Sequence, residues 1–378
     1  MPCPYISAEG AAFGGLNRRE ALVRLGAFLA ASPLVRAQKT PKIVGEQPGR
    51  IPPLDELINT LEFEPVAQRK LADAGYREIA GGERAGFERI VFRPRLMVNT
   101  QELDLTTKLF GDALFTPIIV GPASHQLRFH PEGELAMARG AAAAKAALVV
   151  ADRSDTAMEN MAAEAAKNNG PLWFQVYPEP DLDALLGRVR EAVAAGCKAV
   201  CLTVGTPYGR AGAGGPPQVG ALKELGYPRL DWAYVDRVRE AARVPLVLKG
   251  IMSADEAATA VERGIDGVIV SNHGGRFVHG VAEPITVLPE IVDAVGGRAP
   301  VLVDGGFRRG SDVLKALVFG ATAVLVSRPA LWGLASYGAD GVQTVLELLQ
   351  TELARDMAML GAANAGALNR EFVKVDRR

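Results

Sequence analysis

A histidine can take up and release a proton near neutral pH, and His273 stands in the run Ser271-Asn272-His273-Gly274-Gly275-Arg276, at the end of an apolar stretch. Arg276, three residues on, offers a planar fork of donors that could fix a substrate carboxylate. Lys249 closes another apolar run, and a buried charge in such a place needs a partner or a ligand. Polar endings recur on neighbouring runs, at Gln175-Val176-Tyr177, Thr203, Asp304 and Ser327-Arg328. Repeated on successive strands, such endings make a site. Asp304-Gly305-Gly306-Phe307-Arg308-Arg309-Gly310 adds a glycine turn whose backbone N–H groups could face a phosphate, with Arg308 and Arg328 as bidentate donors. His125, His130 and His279 lack such company and read as structural, and no His/Cys/Asp spacing suggests a metal site.

The elements that must position these groups are short apolar runs alternating with helix-like stretches. The runs are Pro117–Gly121, Ala147–Ala151, Leu172–Tyr177, Ala199–Val204, Pro245–Lys249, Gly267–Ser271, Pro300–Asp304 and Ala323–Ser327. Each is nearly continuous in Val, Ile or Leu, as parallel strands covered on both faces require. Helical spacing fills the intervals, as in Asp181–Ala195 and Tyr234–Ala242, and Ser253 with Glu256 reads as a capping box. Eight strand-then-helix units predict an α/β fold, a (β/α)8 TIM barrel with an N-terminal helical extension. No Gly-x-Gly-x-x-Gly follows the first strand, which argues against an open dinucleotide-binding sheet. Residues 51–115 are expected to pack across the barrel, and Gly205–Asp231, rich in Gly and Pro, reads as an active-site loop.

A formal net charge of −1 supplies no field to draw the chain to nucleic acid or to a membrane surface. Cys197 and Cys201, just ahead of and within one strand, would lie about 13 Å apart if extended, beyond the roughly 4.4–6.8 Å a disulfide spans, so both are expected as free thiols. Near the N-terminus, Asn17-Arg18-Arg19 precedes the short apolar run Leu25–Val35 and then Val35-Arg36-Ala37. This resembles a twin-arginine export signal over residues 1–37, cleaved after Ala37, and implies a periplasmic location. The run is shorter than the roughly 20 residues that cross a bilayer, and no later segment reads as transmembrane. Residues 38–53 read as a linker and residues 54–378 as the catalytic domain, its barrel starting near residue 115.

From Leu54 onward the chain resembles the FMN-dependent 2-hydroxy acid dehydrogenase/oxidase family, which includes glycolate oxidase, lactate oxidase and the flavin domain of flavocytochrome b2. The segment around His273 resembles the family's active-site signature, and Asp304–Gly310 its phosphate loop; His130-Pro131-Glu132-Gly133-Glu134 and Leu248-Lys249-Gly250 match as well. The resemblance implies FMN as cofactor and oxidation of a 2-hydroxy acid, or a related alcohol or amine. His273 would take the substrate proton as a hydride or its equivalent passes to flavin N5. Arg276 would bind the carboxylate, Lys249 would face the flavin N1/O2 edge, and Tyr177 would line the substrate pocket. Pro122, Ala123, Ser124, Gln175, Thr203 and Ser271 would hold the flavin; Asp304, Gly305, Gly306, Arg308, Ser327 and Arg328 its tail and phosphate. The electron acceptor would be a cytochrome, a quinone or O2, and the assembly a homo-oligomer, by resemblance a tetramer.

The chain departs from that pattern in several places. Gly205 stands where the family has an aspartate supporting the histidine, and Glu78 where an N-terminal tyrosine binds substrate carboxylate. Ala151 replaces a serine at the end of the second strand, and Arg153 replaces an aromatic residue just after it. Arg210 lies two residues before the register of the family's loop arginine, and Phe277-Val278 follows Arg276. FMN binding is thus expected to be retained while substrate recognition is altered, with Glu78 and Arg210 as candidate substrate contacts. Two other readings stand beside this one: a non-redox FMN barrel such as a type 2 isopentenyl diphosphate isomerase, and a flavin-binding protein whose catalysis has decayed.

Overall fold

The computed structural model describes residues 50–204, 230–275 and 280–376. Three short strands precede the barrel: β1 (Ile90–Phe92), β2 (Thr107–Leu109) and β3 (Asp112–Leu114). The eight apolar runs then become β4 (Ile118–Val120), β5 (Ala147–Ala151), β6 (Leu172–Val176), β7 (Val200–Thr203), β8 (Leu246–Ile251), β9 (Gly267–Val270), β10 (Val301–Asp304) and β11 (Ala323–Val326). They close into one parallel barrel in the order β10-β11-β4-β5-β6-β7-β8-β9. A last strand, β12 (Val373–Val375), pairs antiparallel with β1, Ile90 opposite Val375.

Why the runs are apolar on both sides is visible in the packing. Ile119, Val149, Trp173, Cys201, Val247, Ile269, Leu302 and Leu325 point inward and fill the barrel interior. Their neighbours, such as Ile118, Leu148, Phe174, Leu202 and Val268, point outward under the helices. Successive side chains of a strand alternate faces, so both faces demand apolar residues. Cys197 and Cys201 are buried free thiols, as expected.

The ends of the barrel are treated differently. The β2–β3 hairpin closes the end where the strands begin: Phe110 lies with its ring centroid 5.4 Å from that of Trp173, and Leu109 and Leu114 join the inner cluster. At the other end, residues 54–88 form short helices, Phe63–Lys70, Asp73–Ile79 and Ala85–Glu88. They sit over the ends of β10 and β11. Trp332 Nε1 donates to the Ile79 carbonyl at 2.9 Å, and Ser336 Oγ to that of Phe63 at 3.3 Å. This N-terminal segment is the expected helical extension. Among the described residues no helix is long and apolar enough to cross a membrane.

Candidate active site

The polar strand endings meet in a ring just above the apolar plug of the barrel. Gln175 Nε2 donates to Thr203 Oγ1 at 2.8 Å. Lys249 Nζ donates to Ser271 Oγ at 2.8 Å and pairs with Asp304 Oδ2 at 2.6 Å. The strand ends dictate these partners, since Thr203 and Lys249 are register neighbours on β7 and β8. Asp304 thus supplies the counter-charge that a buried ammonium requires. Gln175 Oε1 and Asp304 Oδ1 are buried with no hydrogen-bond partner among the described residues. Such orphans are uncommon in native interiors and mark a place where a polar ligand belongs.

His273 follows β9 in a short 3-10 turn, His273–Gly275. Its backbone is left-handed, with φ 54°, a conformation that costs energy for a non-glycine residue. Local hydrogen bonds hold it there. Its N–H donates to Ser271 Oγ at 3.2 Å, while Asn272 Oδ1 accepts from Gly274 N at 3.0 Å and Gly275 N at 3.2 Å. Gly250 makes room for the imidazole: at φ 114°, a Cβ there would fall 2.0 Å from the Val204 carbonyl oxygen and 3.0 Å from His273 Cε1. A register shift between Lys249 and Ile251 accompanies it. Strand, bulge and turn together set Lys249 and His273 on the same rim.

A second centre lies beyond β10 and β11. Arg308 Nη2 at 2.6 Å and Arg328 Nη1 at 3.2 Å both donate to the Gly81 carbonyl, so two guanidiniums converge on one oxygen. Arg308 is buried, with its guanidinium carbon 4.6 Å from the Trp332 ring centroid. Burial, then Arg328 and Arg84 beside it, pull its pKa down to about 9. A guanidinium resists losing its proton, so the stress calls for an anion. Gly305 and Gly306 are left-handed, with φ 94° and 82°, which turns the chain tightly at the foot of this centre. Asp312 fixes the loop by accepting from Arg308 N at 2.9 Å and Arg309 N at 3.0 Å, and Arg84 pairs with the same carboxylate at 2.8 Å. Arg84 and Asp312 are site residues that the strand-end pattern does not flag.

The remaining expected residues distribute as follows. Pro122, Ala123 and Ser124 are half-buried just after β4, and Ser327 lies beside that strand, since a Cβ on Gly121 would fall 2.4 Å from its Oγ. Tyr177 lies under the guanidinium of Arg153, 5.5 Å from ring centroid to Cζ. Glu78 is ion-paired with Arg128, which offsets the charge expected to act on substrate. His125 Nδ1 lies 2.8 Å from Asp155 Oδ1. Arg276, Arg210, Gly205, Phe277, Val278 and His279, with the expected signal in residues 1–37 and nearly all of the loop after β7, lie outside the described residues. Among the described residues no group of His, Cys, Asp and Glu could hold a metal ion.

Residues 73–213 and 215–375 match the model of a family described as FMN-dependent dehydrogenase. The chain is 38% identical to an L-lactate oxidase from Nostoc sp. over 356 residues, covering 84% of this chain and 98% of the relative. It is 33% identical to glycolate oxidase from Spinacia oleracea over 359 residues, covering 85% and 96%. Among solved structures, a mandelate oxidase variant with 2-hydroxy-phenylacetamide superposes with a TM-score of 0.76 at 36% identity, covering 85% of this chain and 100% of that one. A flavocytochrome b2 variant superposes with a TM-score of 0.78 at 28% identity, covering 86% and 88%.

Proposed function

This chain belongs to the FMN-dependent dehydrogenase family, and from that premise we propose that it oxidises a 2-hydroxy acid to the 2-oxo acid with His273 as the proton acceptor. The convergence of Lys249, Ser271 and His273 on one rim, beside an anion centre built by Arg308 and Arg328, is the observation that carries the reading. The residues fit FMN. A phosphate would satisfy the two guanidiniums, and the orphaned Gln175 Oε1 and Asp304 Oδ1 would accept hydrogen bonds from the polar groups of the cofactor. When bound, FMN supplies the electron acceptor that takes the hydrogen and electron pair leaving the carbinol carbon.

The protein's own groups do the rest. His273 takes the hydroxyl proton as the carbon–oxygen double bond forms, and general-base help of this kind is worth about 10²–10⁴ in rate. Lys249, already fixed by Ser271 and Asp304, provides a positive charge on the same rim, where charge stabilisation costs no reorganisation. Arg276 is assigned to the substrate carboxylate, by its place three residues after the histidine. Electrons then pass to O2 or to an external cytochrome or quinone. The pattern of residues 1–37 supports export of the loaded, folded protein to the periplasm.

The test is anaerobic mixing of FMN-loaded protein with a panel of 2-hydroxy acids while flavin absorbance is followed. At least one acid bleaches the flavin and is recovered as its 2-oxo acid. His273→Gln retains the flavin and slows bleaching by about 10²–10⁴-fold. A panel that leaves the flavin oxidised, or a glutamine variant as fast as wild type, refutes the proposal.

A further inference from the structure

Arg153 and Tyr177 occupy the layer directly above the polar ring. Ala151 of β5 is the register partner of Gln175 on β6, and Asp152 N–H carries the ladder one step further by donating to the Gln175 carbonyl at 2.8 Å. Side chains alternate along strands, so the pair two residues on returns to the inward side on which Gln175 meets Thr203. The contact between the Arg153 guanidinium and the Tyr177 ring, at 5.5 Å, matches that placement. The Arg153 backbone is held too, its carbonyl accepting from His125 N at 3.1 Å.

The neighbouring acids are engaged elsewhere. Asp152 and Glu179 both grip Arg188, each at 2.7 Å, and Asp155 holds His125 at 2.8 Å. Among the described residues the Arg153 guanidinium meets no carboxylate and donates no side-chain hydrogen bond. Stacking on an aromatic ring fixes the plane of a guanidinium and leaves its N–H edge open, the geometry that takes a carboxylate as a fork. In the closed order β5 is opposite β9, the strand that leads to His273. An eight-stranded barrel is narrow enough for one small molecule to reach from rim to rim.

We propose that Arg153, laid on Tyr177, binds a second anionic group at the far end of the substrate, which makes the substrate class 2-hydroxy dicarboxylates. The inference rests on the oxidation proposed above and narrows it. The reacting carbon sits at His273, while the distal carboxylate docks on the opposite rim.

Two measurements on FMN-loaded protein test this. In the first, anaerobic flavin reduction is compared for malate and 2-hydroxyglutarate and for monocarboxylic acids of equal length that lack the distal carboxylate, 2-hydroxybutyrate and 2-hydroxyvalerate. A charge-assisted fork should favour the diacids in kcat/KM by about 10- to 100-fold, and Arg153→Met should collapse that ratio toward unity, chiefly through KM. In the second, the matching 2-oxo diacids are titrated against the flavin spectrum without turnover, and Arg153→Met should weaken their binding by a similar factor. A wild type that shows no diacid preference overturns the inference, as does an Arg153→Met variant that keeps the ratio or binds the 2-oxo diacids as well as wild type. Tight, Arg153-dependent diacid binding with no flavin reduction by any hydroxy acid would overturn the oxidation reading and leave the anion subsite standing.

Discussion

At the scale of single residues, the molecule gathers three guanidiniums, Arg84, Arg308 and Arg328, around one centre. Arg308 is drawn down to about 9 by burial and by the nearby Arg328 and Arg84. Its folded pKa therefore lies below the ordinary guanidinium value, so at any pH below about 9 the buried charge is held at a cost to stability. An anion between the two arginines offsets that cost. Arg308→Lys keeps a charge but loses the fork, and it should weaken FMN retention about 10- to 100-fold, read as the Kd from flavin fluorescence, while shrinking the rise in Tm that FMN gives wild type. Unchanged affinity would place the phosphate elsewhere. The residues on strand ends were legible in the sequence because a polar group closing an apolar run is anomalous by itself. Arg84 and Asp312 were not, since they act through an ion pair between residues far apart in the chain. Glu78 shows the limit of alignment. Its type could be read from the sequence, but its pairing with Arg128 could not.

At the scale of elements, apolar runs foretold all eight barrel strands, with Ala147–Ala151 matched end to end. Continuous Val, Ile and Leu over a few residues admits little else once turns bound it. The helix at Ala254–Glu262 shows a partial success, because Ser253 Oγ accepts the Glu256 N–H at 3.3 Å as a capping residue should. The irregularity after Lys249 was hidden. β8 runs on to Ile251 through a register shift, and only the approach of β7 and His273 explains why residue 250 is glycine. Gly250→Ala should therefore cost about 1–3 kcal/mol from backbone strain alone, and more from the contact with the Val204 carbonyl. Thermal unfolding checks this. A variant with wild-type Tm and undiminished flavin reduction would show that the bulge does not position the imidazole.

At the scale of the whole molecule, the sequence foresaw a barrel with a helical N-terminal extension but not what that extension does. Residues 54–88 cover the anion centre and supply the Gly81 carbonyl on which two arginines meet. Few local patterns announce such a role, because each short helix packs on residues more than two hundred positions away, as Ile79 does on Trp332. Export belongs to this scale as well. If Asn17-Arg18-Arg19 is the recognition element, replacing both arginines with lysine should hold the protein in the cytoplasm with its FMN bound. Cell fractionation decides it, and export that continues undiminished would remove the assignment.

Strand β1, which ends the extension, is paired with β12, and all eight barrel strands lie between the two in the chain. During synthesis the ribosome therefore emits β1 well before β12. This pairing cannot form until every barrel strand has been made, so one of the contacts that anchors the extension comes late in folding.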